Sequence, residues 1–375
     1  MLCYEFPPLG GGGSRVVDGL SRELVRNGHE VDVVTMGFRG LPRHEVVHGV
    51  SVHRVPCVRF KEHLCTLAEA AIFVVAALPR IKRLVARHDY DINHTHFILP
   101  DGFNAARIKR STGLPYVITA HGSDVPGYNP HRARLTHRFL APVWRRVTRD
   151  ASCIVCPSRS IGELLARRDP NLESIEIPYG FEIGRYQTEA PRRRQILVVT
   201  RMLQRKGVQY LLQALDGIRL DHEVHIVGDG PYLSTLKRQA AGCSTKVVFH
   251  GWLDNRSDQL NALYESSDIF VLTSEAENFP VSLMEAMAAG LAVLTTRGTG
   301  CAEVVGDTGV LVDSRDAAQL REALVGLTQD PGRCRELGRA ARERVETEFA
   351  WPVVARRYEE LYRRHRAGAG HEAQP

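Results

Sequence analysis

The sequence lacks any apolar run long enough to cross a bilayer. The longest stretch, residues 64–78, carries Glu69 and stops at Pro79, short of the roughly 20 residues that a spanning helix requires. Paired cysteines are missing as well. Eight cysteines stand at irregular spacings, and the one close pair, Cys153 and Cys156, falls in a short apolar run where a strand sends the two side chains to opposite faces, which defeats both a bridge and a zinc chelate. Buried free thiols are expected. No secretory leader precedes the first apolar run, because Phe6 leads directly into Pro7-Pro8, so the chain is expected in the cytoplasm. That run is shorter than a first strand normally is, and the true start is expected a few residues upstream of Met1. Charge of one sign is scarce too. The 49 basic residues against 43 acidic ones leave a net charge of +6, too mild to argue for a nucleic-acid partner and equally suited to an anionic small substrate or an acidic membrane surface. The run Gly10-Gly11-Gly12-Gly13 has no G-x-G-x-x-G spacing, and no acidic residue ends the second strand, which argues against a nicotinamide-dependent dehydrogenase.

What is present is an alternation of short apolar runs and helical patterns, made twice. Runs at residues 30–35, 49–55, 91–94, 115–119 and 153–156 read as strands, with helices between them at 14–27, 64–87 and 133–148. A turn-rich, charged stretch follows, and the alternation restarts at 196–200, 224–227, 246–249, 269–272, 292–295 and 310–312. A chain of 375 residues exceeds what one core serves, and 43% hydrophobic residues suffice to fill two. The predicted architecture is therefore α/β, two Rossmann-like, doubly wound parallel-sheet domains. The expected divisions are 1–177, a linker at 178–195, 196–350, a final helix at 351–366 kinked at Trp351-Pro352, and a disordered tail at 367–375. The basic flanks of the 64–78 stretch (Lys61, then Arg80, Lys82, Arg83 and Arg87) suit peripheral association with the inner face of a membrane, although a core helix with a solvated basic end is the simpler reading.

The chemistry gathers around Glu277 and Glu285, which bracket Asn278-Phe279-Pro280-Val281-Ser282-Leu283-Met284. Pro280 suits a first helical turn, Asn278 a cap, and Gly290 a helix end. Free N–H groups at such a helix start favour a phosphate, while acids on either side accept protons from hydroxyls. Phosphate flanked by hydroxyls describes a nucleotide sugar. Arg201 and Lys206 follow the strand at 196–200, at the carboxyl end where open α/β sheets bind ligands, and would neutralise charge on a departing diphosphate. Gly228 and Gly230 would let backbone approach the nucleotide.

With Arg201-Met202-Leu203-Gln204-Arg205-Lys206-Gly207, Val227-Gly228-Asp229-Gly230-Pro231, the glycine run and Ala120-His121-Gly122-Ser123-Asp124 beside that Glu pair, nearly the whole chain resembles the retaining glycosyltransferases of family 4. The resemblance implies a GT-B fold, two domains facing a cleft, and transfer of a sugar from a nucleotide donor, a UDP-sugar first, to a hydroxyl acceptor in glycan, glycolipid or natural-product synthesis. No cofactor is expected, and no metal, because the carboxylate clusters of a magnesium site are missing. The resemblance places Arg201 and Lys206 on the diphosphate, Glu277 on the transferred sugar, Glu285 on the ribose, and Gly12 and Gly13 near the diphosphate or acceptor. His121 falls near the donor sugar, Glu303 on a loop beside the same pocket, and Asp124 and Arg15 toward the acceptor. His94 and His96 read as structural. An epimerase or hydrolase of the same fold and a non-catalytic partner of another transferase are the alternatives. Two departures stand out: Pro178-Tyr179-Gly180-Phe181-Glu182 replaces the usual Pro-Asn-Gly-Val-Asp, and Ala276 follows Glu275 where a glycine is common. The acceptor is expected on the loops at 38–47, 59–64 and 122–138, rich in Arg and His, with 129–134 suited to phosphates.

Overall fold

The computed structural model describes residues 1–62, 64–128, 134–188, 192–255 and 257–367, with the side chains of 134–138 excepted. Residues 129–133 of the expected phosphate-facing loop, 189–191 of the expected linker and 368–375 of the expected tail lie outside the described residues. The chain forms two compact units, Met1–Gly180 with Trp351–Pro375, and Phe181–Ala350.

In the first unit, β1 (Asp32–Met36) pairs in parallel with β3 (Val50–Val55), and β3 pairs antiparallel with β2 (His44–Val47). A second row, all parallel, runs β4 (Asn93–His96), β5 (Tyr116–Thr119), β6 (Cys153–Cys156) and β7 (Ser174–Glu176). Leu2 joins the two rows by bridging Val34 and Thr95, its amide 2.9 Å from the His94 carbonyl and its own carbonyl 2.9 Å from the His96 amide. The short run before Pro7-Pro8 thus serves as a one-residue strand. Loops leaving Leu2, β4 and β5 emerge at the point where the strand order reverses, which is where this topology places ligands. Sequence periodicity did not predict β2. Its signal is the two-residue turn His48-Gly49, both with positive φ (52° and 85°), as a tight hairpin requires.

Two cores flank this sheet, and Cys156 points into one while Cys153 points into the other, as the odd spacing dictates. The final helix, Trp351–His365, contributes Val354, Ala355, Tyr358 and Leu361 to the core that holds Val17, Leu20 and Leu24. The Trp351 indole lies against Gly19 and Gly180, where an added Cβ would come within 2.2 and 2.1 Å of it. The helix expected at 64–87 runs Leu67–Val85, with Pro79 inside it. The hydrogen bond that proline forfeits falls on the exposed side, where Val75 is 75% exposed and water can take its carbonyl.

The second unit is one six-stranded parallel sheet. Its order is β10 (Val247–Gly251), β9 (Glu223–Val227), β8 (Gln195–Val199), β11 (Ile269–Leu272), β12 (Ala292–Thr296), β13 (Gly309–Val312). In chain order this is the 3-2-1-4-5-6 arrangement, with its reversal between β8 and β11, where Ile196 pairs with Ile269 and Leu197 with Phe270. The central strands are near-continuous Ile, Leu, Val and Phe because both faces are covered.

Candidate functional site

In the second unit the loops after β8 and β11 flank the reversal point, and they carry Arg201, Lys206 and Glu277. Glycines pack these loops against one another. A Cβ on Gly207 would stand 1.9 Å from the Thr273 carbonyl oxygen, on Gly228 1.9 Å from that of Thr200, on Gly230 2.4 Å from that of Met202, and on Gly300 1.5 Å from that of Asn278. At Gly228 and Gly230, expected to let backbone approach a nucleotide, the protein's own backbone already requires the missing side chain. The Met202 amide donates to the Asp229 carbonyl at 2.9 Å across this contact. The result is a rim whose side chains have defined positions.

On that rim Lys206 Nζ bonds Glu277 Oε1, with only 11% and 10% of the two side chains exposed. The preceding turn is held similarly. Glu275 accepts from Tyr210 at 3.0 Å and from Arg315 at 2.6 Å, and its amide meets the Arg205 carbonyl at 2.9 Å. Arg201 is exposed on the same loop as Lys206. Glu303 lies half-buried in the short helix Gly300–Val305, whose first amide bonds the Glu277 carbonyl at 3.0 Å.

The helix after Glu277 runs Val281–Ala288, with Pro280 in extended conformation at its N-cap and no side-chain cap bond. Asn278 does not cap it, and Pro280 precedes the first turn instead of occupying it. Asn278 and Phe279 are buried, and the Phe279 ring meets Phe349 edge-on at 5.4 Å. The amides of Val281 and Ser282 consequently open the helix without a backbone acceptor among the described residues, a ready anion site. Gly290 ends the segment as expected, with φ 73° and the paired bonds from Gly290 to Met287 and Leu291 to Ala286.

Glu285 sits one turn in, 3% exposed, with Oε2 taking the Tyr264 hydroxyl at 2.9 Å and Oε1 facing Arg185 Nη1 at 3.4 Å. Arg185 is fixed in turn by two bonds to Asn261 Oδ1, at 3.0 and 2.7 Å. Sequence reasoning missed Tyr264, Arg185 and Asn261, whose residue types repeat no pattern. A polyol reaching Glu285 meets a carboxylate already oriented.

In the first unit the helix Gly12–Arg26 starts from Gly11 with no side-chain cap and no acid in its first turn. Gly12 and Arg15 are exposed. Gly13 is small for a local reason: a Cβ there would lie 2.9 Å from the Phe97 ring and 3.6 Å from His121 Nδ1. Phe97 itself has φ 71°, rare for an aromatic residue, and its ring packs tilted against His121 with centroids 4.3 Å apart. No sequence signal betrays that strain. His121 Nδ1 shares a hydrogen bond with the Tyr179 hydroxyl at 2.8 Å, and its Nε2 shares one with His96 Nδ1 at 3.2 Å. His96, expected to be structural, is buried yet holds the orientation of His121. The departure Tyr179 is part of the same string. Asp124, expected toward the acceptor, is buried, and its oxygens accept the amides of Ile98 at 2.7 Å and His121 at 3.0 Å. It pins the His121 loop to the end of β4. Burial pushes its carboxyl up to about 6, partly offset by those amides.

Burial holds the His121 imidazole down to about 3, and His94 and His96 also lie well below the usual histidine range because they are buried. Between that value and the ordinary 6.5, the unfolded chain binds a proton at His121 that the native state refuses. The stability contributed by His121 is thus fully present above 6.5 and is lost as pH falls toward 3. Scanning calorimetry should find the gap in Tm between the native protein and His121→Gln largest near neutrality and shrinking at acid pH. A gap that widens on acidification contradicts the assignment.

Residues 10–179 match the sequence profile described as Glycosyltransferase Family 4, and residues 193–330 match that described as Glycosyl transferases group 1. The chain is 27% identical to the GDP-mannose-dependent alpha-(1-6)-phosphatidylinositol monomannoside mannosyltransferase of Mycolicibacterium smegmatis, over 96% of this chain and 97% of that one. Among solved structures it is similar to sucrose-phosphate synthase from Thermosynechococcus elongatus, with a TM-score of 0.78 at 23% identity over 94% of this chain and 93% of that one. It is also similar to Anabaena HepE in complex with UDP and glucose, with a TM-score of 0.74 at 18% identity over 96% and 97% of the two chains.

Proposed function

Since the chain belongs to the family 4 glycosyltransferases and has their GT-B fold, we propose that it moves a sugar, with retention, from a nucleoside-diphosphate donor to a hydroxyl acceptor. No metal ion is used in this reading. The observation that carries it is the Lys206–Glu277 pair at the strand-order reversal, beside the open amides of Val281 and Ser282. A diphosphate drawn to Lys206, Arg201 and those amides displaces the Lys206 ammonium from Glu277, whose carboxylate is then released to accept a sugar hydroxyl. Glu285, held by Tyr264 and Arg185, takes the ribose.

In the transfer itself the bond from the anomeric carbon to the phosphate oxygen breaks, and its electron pair stays on the diphosphate. The acceptor oxygen bonds to the same face of that carbon and passes its proton to the departing phosphate oxygen. The charge that develops is met by Lys206, Arg201 and the helix start, the role a metal plays elsewhere. Among the described residues the one gathering of three metal-ligating side chains is Cys153, Glu173 and His365, in the other unit.

The UDP named with HepE and the GDP-mannose named for the mannosyltransferase make the base an open choice between two donors, with UDP preferred here. A thermal-shift screen of nucleotide sugars in chelator tests the reading. One donor should raise Tm, since ligand at 100 times its Kd stabilises by about 2.7 kcal/mol, and Glu285→Ala should lose most of that gain. No response to any nucleotide sugar, or an unchanged response in Glu285→Ala, defeats it. An epimerase would convert the donor without acceptor, which a product assay with and without acceptors detects.

A further inference from the structure

The helix Leu67–Val85 is covered on only one face. Phe73, Ala77, Ile81 and Leu84 enter the core of the first unit. Opposite them Ala68, Ala71, Ile72, Val75 and Pro79 fall on one stripe at three- and four-residue steps, with Ile72 42% and Val75 75% exposed. The stripe then continues through Lys82 and Arg83, and Arg87 is exposed in the turn that follows the helix. The stripe is apolar over its first half and basic over its second. The loop before the helix enlarges the apolar half, since Phe60 is 75%, Leu64 48% and Leu67 67% exposed.

The backbone on either side of Phe60 is tightly fixed. The buried Arg59 guanidinium donates to the carbonyls of Lys61 at 3.0 Å and Glu62 at 2.8 Å, and to Glu5 at 3.3 Å. The buried Glu69 carboxylate accepts the amides of Phe60 at 2.7 Å and Thr66 at 2.6 Å, closing a capping box. Two buried charges thus order the backbone on both sides of Phe60 while its ring stays in water. The fold gains nothing from an immobilised, exposed phenyl group, and a contiguous apolar patch of this kind marks a contact surface. Among the described residues Lys61, Lys82, Arg83 and Arg87 make no ion pair that would neutralise the basic half.

We propose that this face docks the protein on an anionic lipid bilayer. Phe60, Leu64, Leu67, Ile72 and Val75 enter the acyl boundary, and Lys61, Lys82, Arg83 and Arg87 meet the lipid phosphates. The contact is peripheral, for no described helix is long and apolar enough to cross a membrane. A second copy of the chain fits less well. Paired antiparallel, each basic half would lie on its partner's apolar half; paired parallel, like charges would oppose. The surface stands independently of the sugar-transfer reading, although the Gly10 amide bonds the Glu62 carbonyl at 2.8 Å and so ties the docking loop to the glycine run.

Flotation of the full chain with vesicles of phosphatidylcholine and phosphatidylglycerol in equal parts tests this. The native protein should float at low salt, with phosphatidylcholine alone retaining far less. Lys82→Glu/Arg83→Glu should weaken binding about tenfold or more, and Phe60→Ser/Val75→Ser should remove what persists at high salt. All four side chains are solvent-facing or part-exposed, so melting curves of the variants should match the native protein and confirm their folding. No flotation of the native protein with anionic vesicles, or binding that both pairs of substitutions leave within twofold, overturns the proposal. So does a solution dimer that Phe60→Ser/Val75→Ser converts to monomer.

Discussion

Lys206→Ala is expected to lower kcat/KM by about 100- to 1000-fold, the usual loss when one fixed donor to a developing oxyanion is removed. The substitution removes the ammonium best placed for the diphosphate, on a loop whose position Gly207 and the Arg205–Glu275 backbone bond already fix. Nothing else should move into its place. The substitution also leaves the Glu277 carboxylate, 10% exposed, without its partner, and that alone destabilises the rim. Lys206→Ala/Glu277→Gln, measured beside Glu277→Gln alone because Glu277 is itself placed on the sugar, separates the two effects. The double variant should regain the Tm lost by Lys206→Ala and remain inactive. Recovery of turnover together with Tm would show that Lys206 serves stability alone.

The second large effect concerns backbone packing. Gly228→Ala places a Cβ 1.9 Å from the Thr200 carbonyl oxygen at a φ of 130°, so the substitution is strained both in its own conformation and against fixed backbone. A loss of about 3 kcal/mol or more is expected, as for other changes that force backbone apart at a special conformation. Gly12→Ala is the contrast, for nothing lies within 4 Å of the added Cβ and the residue sits in a first helical turn. Its stability should change by less than about 1 kcal/mol. Calorimetry on the two variants distinguishes a glycine required by packing from one whose absence of a side chain has no structural reason. Equal losses would remove the distinction.

The comparison of sequence and structure follows the range of the interactions involved. The strands of the second unit were legible because β8, β9, β11 and β12 are buried on both faces and read as unbroken apolar runs. The Schellman end at Gly290 was legible because one residue type suits it. The start of the same helix was misplaced by two residues, since Asn278 and Pro280 are both good start signals and burial of Asn278 and Phe279 decided between them. The partners of Glu285 were invisible. Tyr264 and Arg185 lie 21 and 100 residues away and meet it only through the sheet. The glycines at 228 and 230 were noticed, but their packing against the Thr200 and Met202 carbonyls was not legible, because a sequence shows that a Cβ is missing but not what approaches. Likewise Asp124 was read toward the acceptor, and the two amides that claim its oxygens, at Ile98 and His121, were not legible. The exposed stripe on Leu67–Val85 was half legible: its basic flanks suited a membrane face, but a helix with apolar residues on both faces reads first as a core helix.

The central claim is that the rim formed after β8 and β11 receives a nucleoside diphosphate. A crystal of the protein grown with UDP tests it most directly. The diphosphate should lie within hydrogen-bonding reach of Lys206 Nζ and the Val281 and Ser282 amides, with the ribose on Glu285 and the Lys206–Glu277 contact opened. UDP bound elsewhere, with Lys206 still closed on Glu277, would contradict the account.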